Sequence, residues 1–147
     1  MKMKVPFIKL HPNAVMPTYG SASAAGADLY ALSEEEILIP AGKTVFVSTG
    51  IAMEIPKGFV GLVFARSSMG AKRNLAPANK VGVIDSDYRG EIRVVLHNHG
   101  DTDQVVLPGE RVAQLVIVPY LTTEFEECTS LSGTERGEGG FGSTGRQ

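Results

Sequence analysis

Five glycines, one aromatic ring, two hydroxyl side chains and two arginines crowd the segment Arg136-Gly137-Glu138-Gly139-Gly140-Phe141-Gly142-Ser143-Thr144-Gly145-Arg146-Gln147. Glycine has no Cβ, so its amide approaches a ligand closely and its φ turns positive without strain. Successive free amides make a concave anion site, to which Ser143 and Thr144 add hydroxyl donors. Phe141 supplies a flat apolar face on which a base can stack. The combination suits a lid over something that carries both phosphates and a base. The structural alternative is a plain Gly/Ser tail, but linkers rarely interrupt their glycines with a Phe and two Arg.

Four further segments carry polar groups that a bare scaffold does not need. Ala25-Gly26-Ala27-Asp28-Leu29-Tyr30-Ala31 sets a carboxylate among small residues at the start of a strand; alone, Asp28 also reads as a turn residue accepting backbone amides. Ala65-Arg66-Ser67-Ser68-Met69-Gly70 follows an apolar strand. Arg66 can bind phosphate oxygens bidentately, and Ser67 and Ser68 can donate hydroxyls or simply cap a following helix. In the stretch from Asn79 to Ile92, the order is strand, polar turn Asp85-Ser86-Asp87, and returning strand. Asp-Ser-Asp is ordinary turn chemistry. Asp85 nevertheless closes the apolar run Val81-Gly82-Val83-Ile84, where partial desolvation can tune a general base. Finally, Pro108-Gly109-Glu110-Arg111-Val112-Ala113-Gln114-Leu115 turns into a strand with Gln114 on an apolar stretch. A core-facing Gln needs hydrogen-bond partners, which a ligand can supply.

The elements that must position these groups are short. Val5 to Leu10, Ile37 to Ile39, Thr44 to Ile55, Phe59 to Phe64, Val81 to Ile84, Ile92 to Leu96, Gln104 to Leu107 and Val112 to Tyr120 read as strands, rich in Val, Ile and Phe. Between them lie turn clusters such as Pro40-Ala41-Gly42, Pro56-Lys57-Gly58, Asn98-His99-Gly100 and Pro108-Gly109-Glu110. Many short strands at this spacing predict an all-β sandwich or barrel. The single helical signal is a turn or two over Ser68 to Leu75. A length of 147 residues fits one domain with a proper core, and 43% hydrophobic with 20% charged residues is ordinary for a globular protein. A net charge of −2 gives no reason to expect nucleic acid or an anionic membrane as partner. The longest apolar run, Val112 to Leu121, contains Gln114 and Pro119 and is too short to span a bilayer. Met1-Lys2-Met3-Lys4-Val5-Pro6 lacks the apolar run of a signal peptide. One cysteine, Cys128, cannot form an internal disulfide, and its neighbours Glu126 and Glu127 disfavour a thiolate. The expected setting is the cytoplasm.

Taken together and in this order, the five segments closely resemble the motifs of the trimeric dUTP pyrophosphatases (dUTPases). Ala-Gly-Ala-Asp-Leu, Arg-Ser-Ser-Met-Gly, Gly-Val-Ile-Asp-Ser-Asp-Tyr-Arg-Gly-Glu-Ile, Pro-Gly-Glu-Arg-Val-Ala-Gln-Leu and Arg-Gly-Glu-Gly-Gly-Phe-Gly-Ser-Thr-Gly carry the resemblance, which runs from about Val5 to the last residue. It implies an all-β, jelly-roll-like β-barrel with one short helix over residues 1–135, and a mobile Gly-rich active-site arm over 136–147. It implies a homotrimer with active sites shared between subunits. The implied reaction is dUTP plus water giving dUMP and pyrophosphate, by in-line attack on the α-phosphorus. Asp85 would orient and deprotonate the water. Tyr88 would lie against the deoxyribose and exclude a 2′-hydroxyl. Asn79 and the backbone of Gly82, Val83 and Ile84 would read the uracil edge. Arg66, Ser67, Ser68 and Gln114 would meet the phosphates. Mg²⁺ would bridge phosphate oxygens and keep most of its waters, with Asp28 acting through one of them. From the arm, Phe141 would stack on uracil while Arg136, Gly142 and Ser143 close on the γ-phosphate.

Two positions depart from the family pattern. Ala65 stands where many members have Pro, losing a fixed φ before the phosphate loop, and Ser68 stands where Gly is common. Competing functions are weighed by the same residues. The dCTP deaminases share the fold, but their chemistry needs a glutamate three residues before an Asn; aligning that Asn on Asn98 puts Val95 there, and valine cannot shuttle protons. A binding-only nucleotide sensor would not need Asp85, Arg66 and the whole arm together.

Overall fold

Apolar alternation resolves into twelve short strands and one helix among residues 2–145, the part of the chain that this computed structural model describes. In chain order the strands are β1 (Phe7–Lys9), β2 (Thr18–Tyr19), β3 (Ala27–Tyr30), β4 (Ile37–Ile39), β5 (Thr44–Ser48), β6 (Ile51–Met53) and β7 (Phe59–Phe64). After helix α1 (Ser67–Arg73) come β8 (Leu75–Pro77), β9 (Gly82–Ile84), β10 (Arg93–Asn98), β11 (Gln104–Val106) and β12 (Arg111–Pro119). They form a jelly-roll-like arrangement of separately bonded antiparallel sheets. One is five-stranded, in the order β2-β3-β12-β7-β9; one is three-stranded, β5-β10-β8; two are pairs, β1-β6 and β4-β11. The inward side chains of all of them share one core, with Leu29, Ile39, Val47, Ile51, Leu75, Leu96, Val106 and Val112 at its centre. Alternation along β10 shows the rule: Val94, Leu96 and Asn98 point in, and Arg93 points out. Buried Asn98 is satisfied by its own loop, donating to the carbonyls of Ile39 (3.0 Å) and Thr102 (2.8 Å) and accepting from the Gly100 amide.

The longest strand, β12, breaks its alternation once. Pairing with β3 shifts register between Arg111 and Ala113, so two residues of β12 oppose one of β3. This bulge lets Val112 and Ala113 both face the core, and it sets Gln114 directly opposite Asp28.

Three expectations from the sequence change here. The run Thr44 to Ile55 is not one strand: β5 bonds β10 while β6 bonds β1, so the chain changes sheet at Thr49-Gly50. Thr49 Oγ1 donates to the Ile92 carbonyl (2.5 Å), and Gly50 takes φ +67°. The helix begins and ends earlier than Ser68 to Leu75. Asn74 adopts the left-handed conformation (φ 54°) and stops it, its amide bonding the Met69 carbonyl, and Leu75 is then free to open β8. The stretch 79–92 is not a hairpin either. β9 bonds β7, whereas β10 bonds β5 and β8, so Asp85-Ser86-Asp87 carries the chain from one sheet to another. The short strands β2 and β8 carried too little pattern to be read.

Gly50 is the position where the fold most needs glycine. Its φ is positive, and a Cβ there would lie 2.6 Å from Leu32 Cδ2 and 2.8 Å from Ala14 Cβ. Gly50→Ala should therefore destabilise the fold by about 2–4 kcal/mol, summing left-handed strain and overpacking; the urea unfolding midpoint measures it.

Candidate functional site

A cleft of about 230 Å³ opens where the five-stranded sheet meets the three-stranded one. Its walls are Val63 of β7, Gly82, Val83 and Ile84 of β9, Phe46 of β5, Pro77 of β8 and the stretch Arg93–Val95 of β10; Asn79, Asp85, Tyr88, Glu91 and Ile92 complete it. Strand alternation decides what β9 offers. Gly82 and Ile84 turn to the core, while Val83 and then Asp85 turn outward into the cleft. The same alternation leaves Asp85 exposed in this chain, so the partly desolvated carboxylate expected from sequence is not realised by these residues alone.

Tyr88 is held from two sides. Its hydroxyl donates to the Glu91 carbonyl (2.8 Å), and its ring lies so close over Gly90 that a Cβ on Gly90 would stand 2.5 Å from the hydroxyl oxygen. Glu91 is itself tied down, its carboxylate accepting from the Gly50 amide (3.0 Å). The sheet-crossing turn at Gly50 thus reaches through Glu91 to the orientation of the Tyr88 ring.

A second cluster lies across the centre of the five-stranded sheet. Asp28, Gln114 and Phe64 share one rung of β3, β12 and β7, which puts their side chains on one face. Asp28 is buried; its Oδ1 accepts from Arg66 Nε (2.8 Å) and its Oδ2 lies 3.5 Å from an Arg111 guanidinium nitrogen. It is therefore a strand residue fixing arginines, not the turn residue allowed by sequence. Because Asp28 engages Arg66 through Nε, the terminal nitrogens of Arg66 remain available for an anion. Gln114 Nε2 donates to the Ala65 carbonyl (2.9 Å), which is the partner its position required. Ser67 and Ser68 open α1 but do not cap it: the N-cap is Arg66, with no side-chain cap bond, and both serines are exposed.

The arm stands apart from both clusters. The Gly137 amide bonds Thr134 Oγ1 (3.0 Å), Gly139 and Ser143 bond the carbonyls of Arg136 and Gly140, and Gly145 bonds that of Gly142. Arg136 Nε donates to the Gly139 carbonyl (2.7 Å). The amides of Gly137, Gly139, Ser143 and Gly145 are spent on these local turns, whereas the successive amides of Gly140, Phe141 and Gly142 make no such bond among the described residues. Phe141 is fully exposed with φ +51°, a conformation that a bulky residue seldom adopts. Arg146 and Gln147 lie outside the described residues.

One chain thus gathers Asn79, Gly82, Val83, Ile84, Asp85 and Tyr88 around one cleft. It gathers Asp28, Arg66 and Gln114 around another point, with Ser67 and Ser68 alongside, and leaves Arg136, Phe141, Gly142 and Ser143 on neither. Sequence reading missed Phe46, Glu91 and Arg93 as cleft residues and Arg111 as a partner of Asp28. Arg93 lies over the Phe46 ring at 5.1 Å, a cross-sheet contact that follows only from the pairing of β10 with β5. Among the described residues no group of three or more His, Cys, Asp or Glu is placed to hold a metal, and no helix is long and apolar enough to cross a membrane.

The dUTPase family model matches residues 12–145. The chain is 46% identical over 137 residues to the deoxyuridine 5′-triphosphate nucleotidohydrolase of Syntrophotalea carbinolica, covering 93% of each chain. Among solved structures it is similar to the dUTPase of Staphylococcus bacteriophage 80alpha with dUpNHpp, with 29% identity, 99% and 100% coverage of the two chains and a TM-score of 0.89. It is also similar to a variant dUTPase from phage phi11 of S. aureus with a coordinated structural Mg(II) ion, with 25% identity, 87% and 98% coverage and a TM-score of 0.77.

The rung through Gln114 generates a direct test. A Cβ on Gly26 would stand 2.4 Å from Gln114 Oε1 and 3.1 Å from its Cβ. Gly26→Ala should push the amide off the Ala65 carbonyl and cost about 1–2 kcal/mol. Thermal unfolding measures the cost, and the Gln114 side-chain amide resonances should lose their hydrogen-bonded shift.

Proposed function

This chain belongs to the dUTPase family, and on that footing we propose that it hydrolyses dUTP to dUMP and pyrophosphate, lowering dUTP and supplying dUMP for thymidylate synthesis. The observation that carries the reading is the convergence of Asn79, Gly82–Ile84, Asp85 and Tyr88 on one cleft. A volume of about 230 Å³ is below the usual range for whole drug-sized ligands. It suits a base and a sugar, with the triphosphate running out past Asp85 at the rim. Backbone groups of β9 and the Asn79 amide read the edge of uracil. The Tyr88 ring, immobilised over Gly90, occupies the space that a 2′-hydroxyl would need. Asp85 takes the proton from a water placed in line with the α-phosphorus, the kind of positioning on which phosphoryl transfer depends.

Arg66, Ser67, Ser68 and Gln114 bind the phosphates, with Arg66 aimed by Asp28. These groups and the arm do not line the uracil cleft of their own chain, which supports a homotrimer whose subunits complete one another's sites. Phe141 from an arm then stacks on the base, and Arg136, Gly142 and Ser143 close over the γ-phosphate. The nearly complete exposure of Phe141, Phe125 and Leu131 supports the same reading, because large apolar groups gain most by being covered.

The residues present fit a Mg²⁺ ion brought in on the triphosphate and not one held by the protein. Among the described residues no group of three or more His, Cys, Asp or Glu stands together to cage the ion, and Mg²⁺ usually binds through one or two carboxylates and substrate phosphates. Asp28 is already committed to two guanidinium groups; its remaining lone pairs can accept from a metal-bound water only. When bound, the ion would neutralise charge on the phosphates. The Mg(II) ion of the phage phi11 relative is a structural one and is distinct from the ion proposed here.

Deamination is the competing reaction on this fold. Val95 lines the cleft wall where that chemistry would need a carboxylate, which favours hydrolysis. Release of pyrophosphate from dUTP, compared with dTTP, dCTP and UTP, tests the proposal; ammonia from dCTP without pyrophosphate from dUTP would overturn it.

Asp85→Asn should bind dUTP within about tenfold of the parent while turnover falls by roughly 10²–10⁴, the scale of a lost general base. Single-turnover kinetics separates the two quantities. Deleting residues 136–147 should leave the folded domain intact, since the described part of this segment, residues 136–145, adds nothing to the buried core, and should nearly abolish dUTP hydrolysis by removing the stacking face and admitting water. Circular dichroism and the pyrophosphate assay on the same sample check both halves.

A further inference from the structure

Helix α1 bears Ser67 and Ser68 at its start and follows directly on Arg66, yet little local structure holds it. It is seven residues long, has no side-chain N-cap and buries only Met69. Helices this short are marginal on their own. What fastens it is Arg73 in its last turn. The Arg73 guanidinium, about three-quarters buried, pairs with the Glu110 carboxylate and donates to the Val105 carbonyl. It also reaches Gln104 Oε1 (3.3 Å) and the Met69 sulfur (3.5 Å). Glu110 is an equally fixed partner, because its other oxygen accepts from the Leu107 amide (2.9 Å). The turn that carries Glu110 is bonded in both directions to Ala31, next to β3: Ala31 N to the Glu110 carbonyl (2.8 Å) and Gly109 N to the Ala31 carbonyl (2.9 Å).

The consequence is a closed frame. At one end of the loop, Gln114 and Asp28 hold Ala65 and Arg66. At the other end, Arg73 and Glu110 bind α1 to the turn from which β12 starts, and β12 in turn carries Gln114. We infer that Arg73 and Glu110 are positioning residues for the phosphate-binding loop: they touch no substrate, and they set where Arg66, Ser67 and Ser68 present their donors. A fork of planar donors is required for this, since one guanidinium must satisfy a carboxylate and a carbonyl on two different elements. The inference rests on the proposed triphosphate role of that loop.

The test compares two ligands on the full-length protein. dUpNHpp carries the triphosphate, whereas deoxyuridine fills the cleft alone. Arg73→Gln and Glu110→Gln should each weaken dUpNHpp by about tenfold or more while deoxyuridine affinity stays within about twofold, the range of coupling seen between residues of one network. The double variant should be no worse than the weaker single, because either change opens the same link. Arg73→Lys keeps the charge but loses the fork; it should fall between parent and Arg73→Gln for dUpNHpp, and it serves as the readout if Arg73→Gln does not fold. Equal losses for both ligands would make the pair a general fold element, and unchanged dUpNHpp binding would mean α1 is held by other contacts; either result overturns the inference. If the parent protein binds deoxyuridine but not dUpNHpp, it is the triphosphate role of the loop that fails.

Discussion

The register of β12 against its neighbours is the constraint on which the rest depends. One bulge between Arg111 and Ala113 lets two successive residues face the core, and every residue beyond it changes sides. Without that slip Gln114 would not share a rung with Asp28 and Phe64, and its amide would not meet the carbonyl of Ala65. Because the strand period is two, a one-residue error would move the whole polar set from one face to the other. The bulge is stabilised by what it buries, Val112 and Ala113 both at 0% exposure. Core packing therefore sets the geometry of Asp28, Gln114 and Arg66, the groups proposed to serve the phosphates.

A second arrangement follows from the division into separate sheets. The chain crosses between sheets twice near the cleft, at Thr49-Gly50 and at Asp85-Ser86-Asp87. Crossing segments have no ladder of their own, so side chains and single backbone bonds hold them: Thr49 to Ile92, Gly50 to Glu91, and Tyr88 to Glu91. The link between β9 and β10 carries both Asp85, proposed as the base, and Tyr88, proposed to select the sugar. Rigid walls come from the sheets, and the chemistry is assigned to the links between them, as is common where loops are positioned by a stable scaffold.

Much of this was legible in residue types. Ala-Gly-Ala-Asp, Arg-Ser-Ser and Pro-Gly-Glu-Arg each marked a place where polar groups meet small residues, and each lies in one interlocked cluster. Their partners were not legible. Nothing local indicates that Gly26 is small to admit Gln114, that Asp28 holds Arg66, or that Arg73 reaches Glu110, since these pairs lie 37 to 88 residues apart. Where two readings of one residue stood open, packing decided. Ser67 and Ser68 do not cap, because the extended Arg66 takes the N-cap position.

The sequence by itself determined the β class, through short Val- and Ile-rich runs separated by turn residues, and it nominated the side chains proposed to act on a phosphorylated nucleoside. It also determined the family, because motif order and residue chemistry survive without coordinates. Tertiary structure decided everything that depends on pairing. It split the run from Thr44 to Ile55 between two sheets, turned the supposed hairpin at Asp85 into a crossing, and left Asp85 at an open rim. The physical reason is that periodicity reports which face of an element is apolar, whereas hydrogen-bond partners, register and cover come from segments distant in the chain.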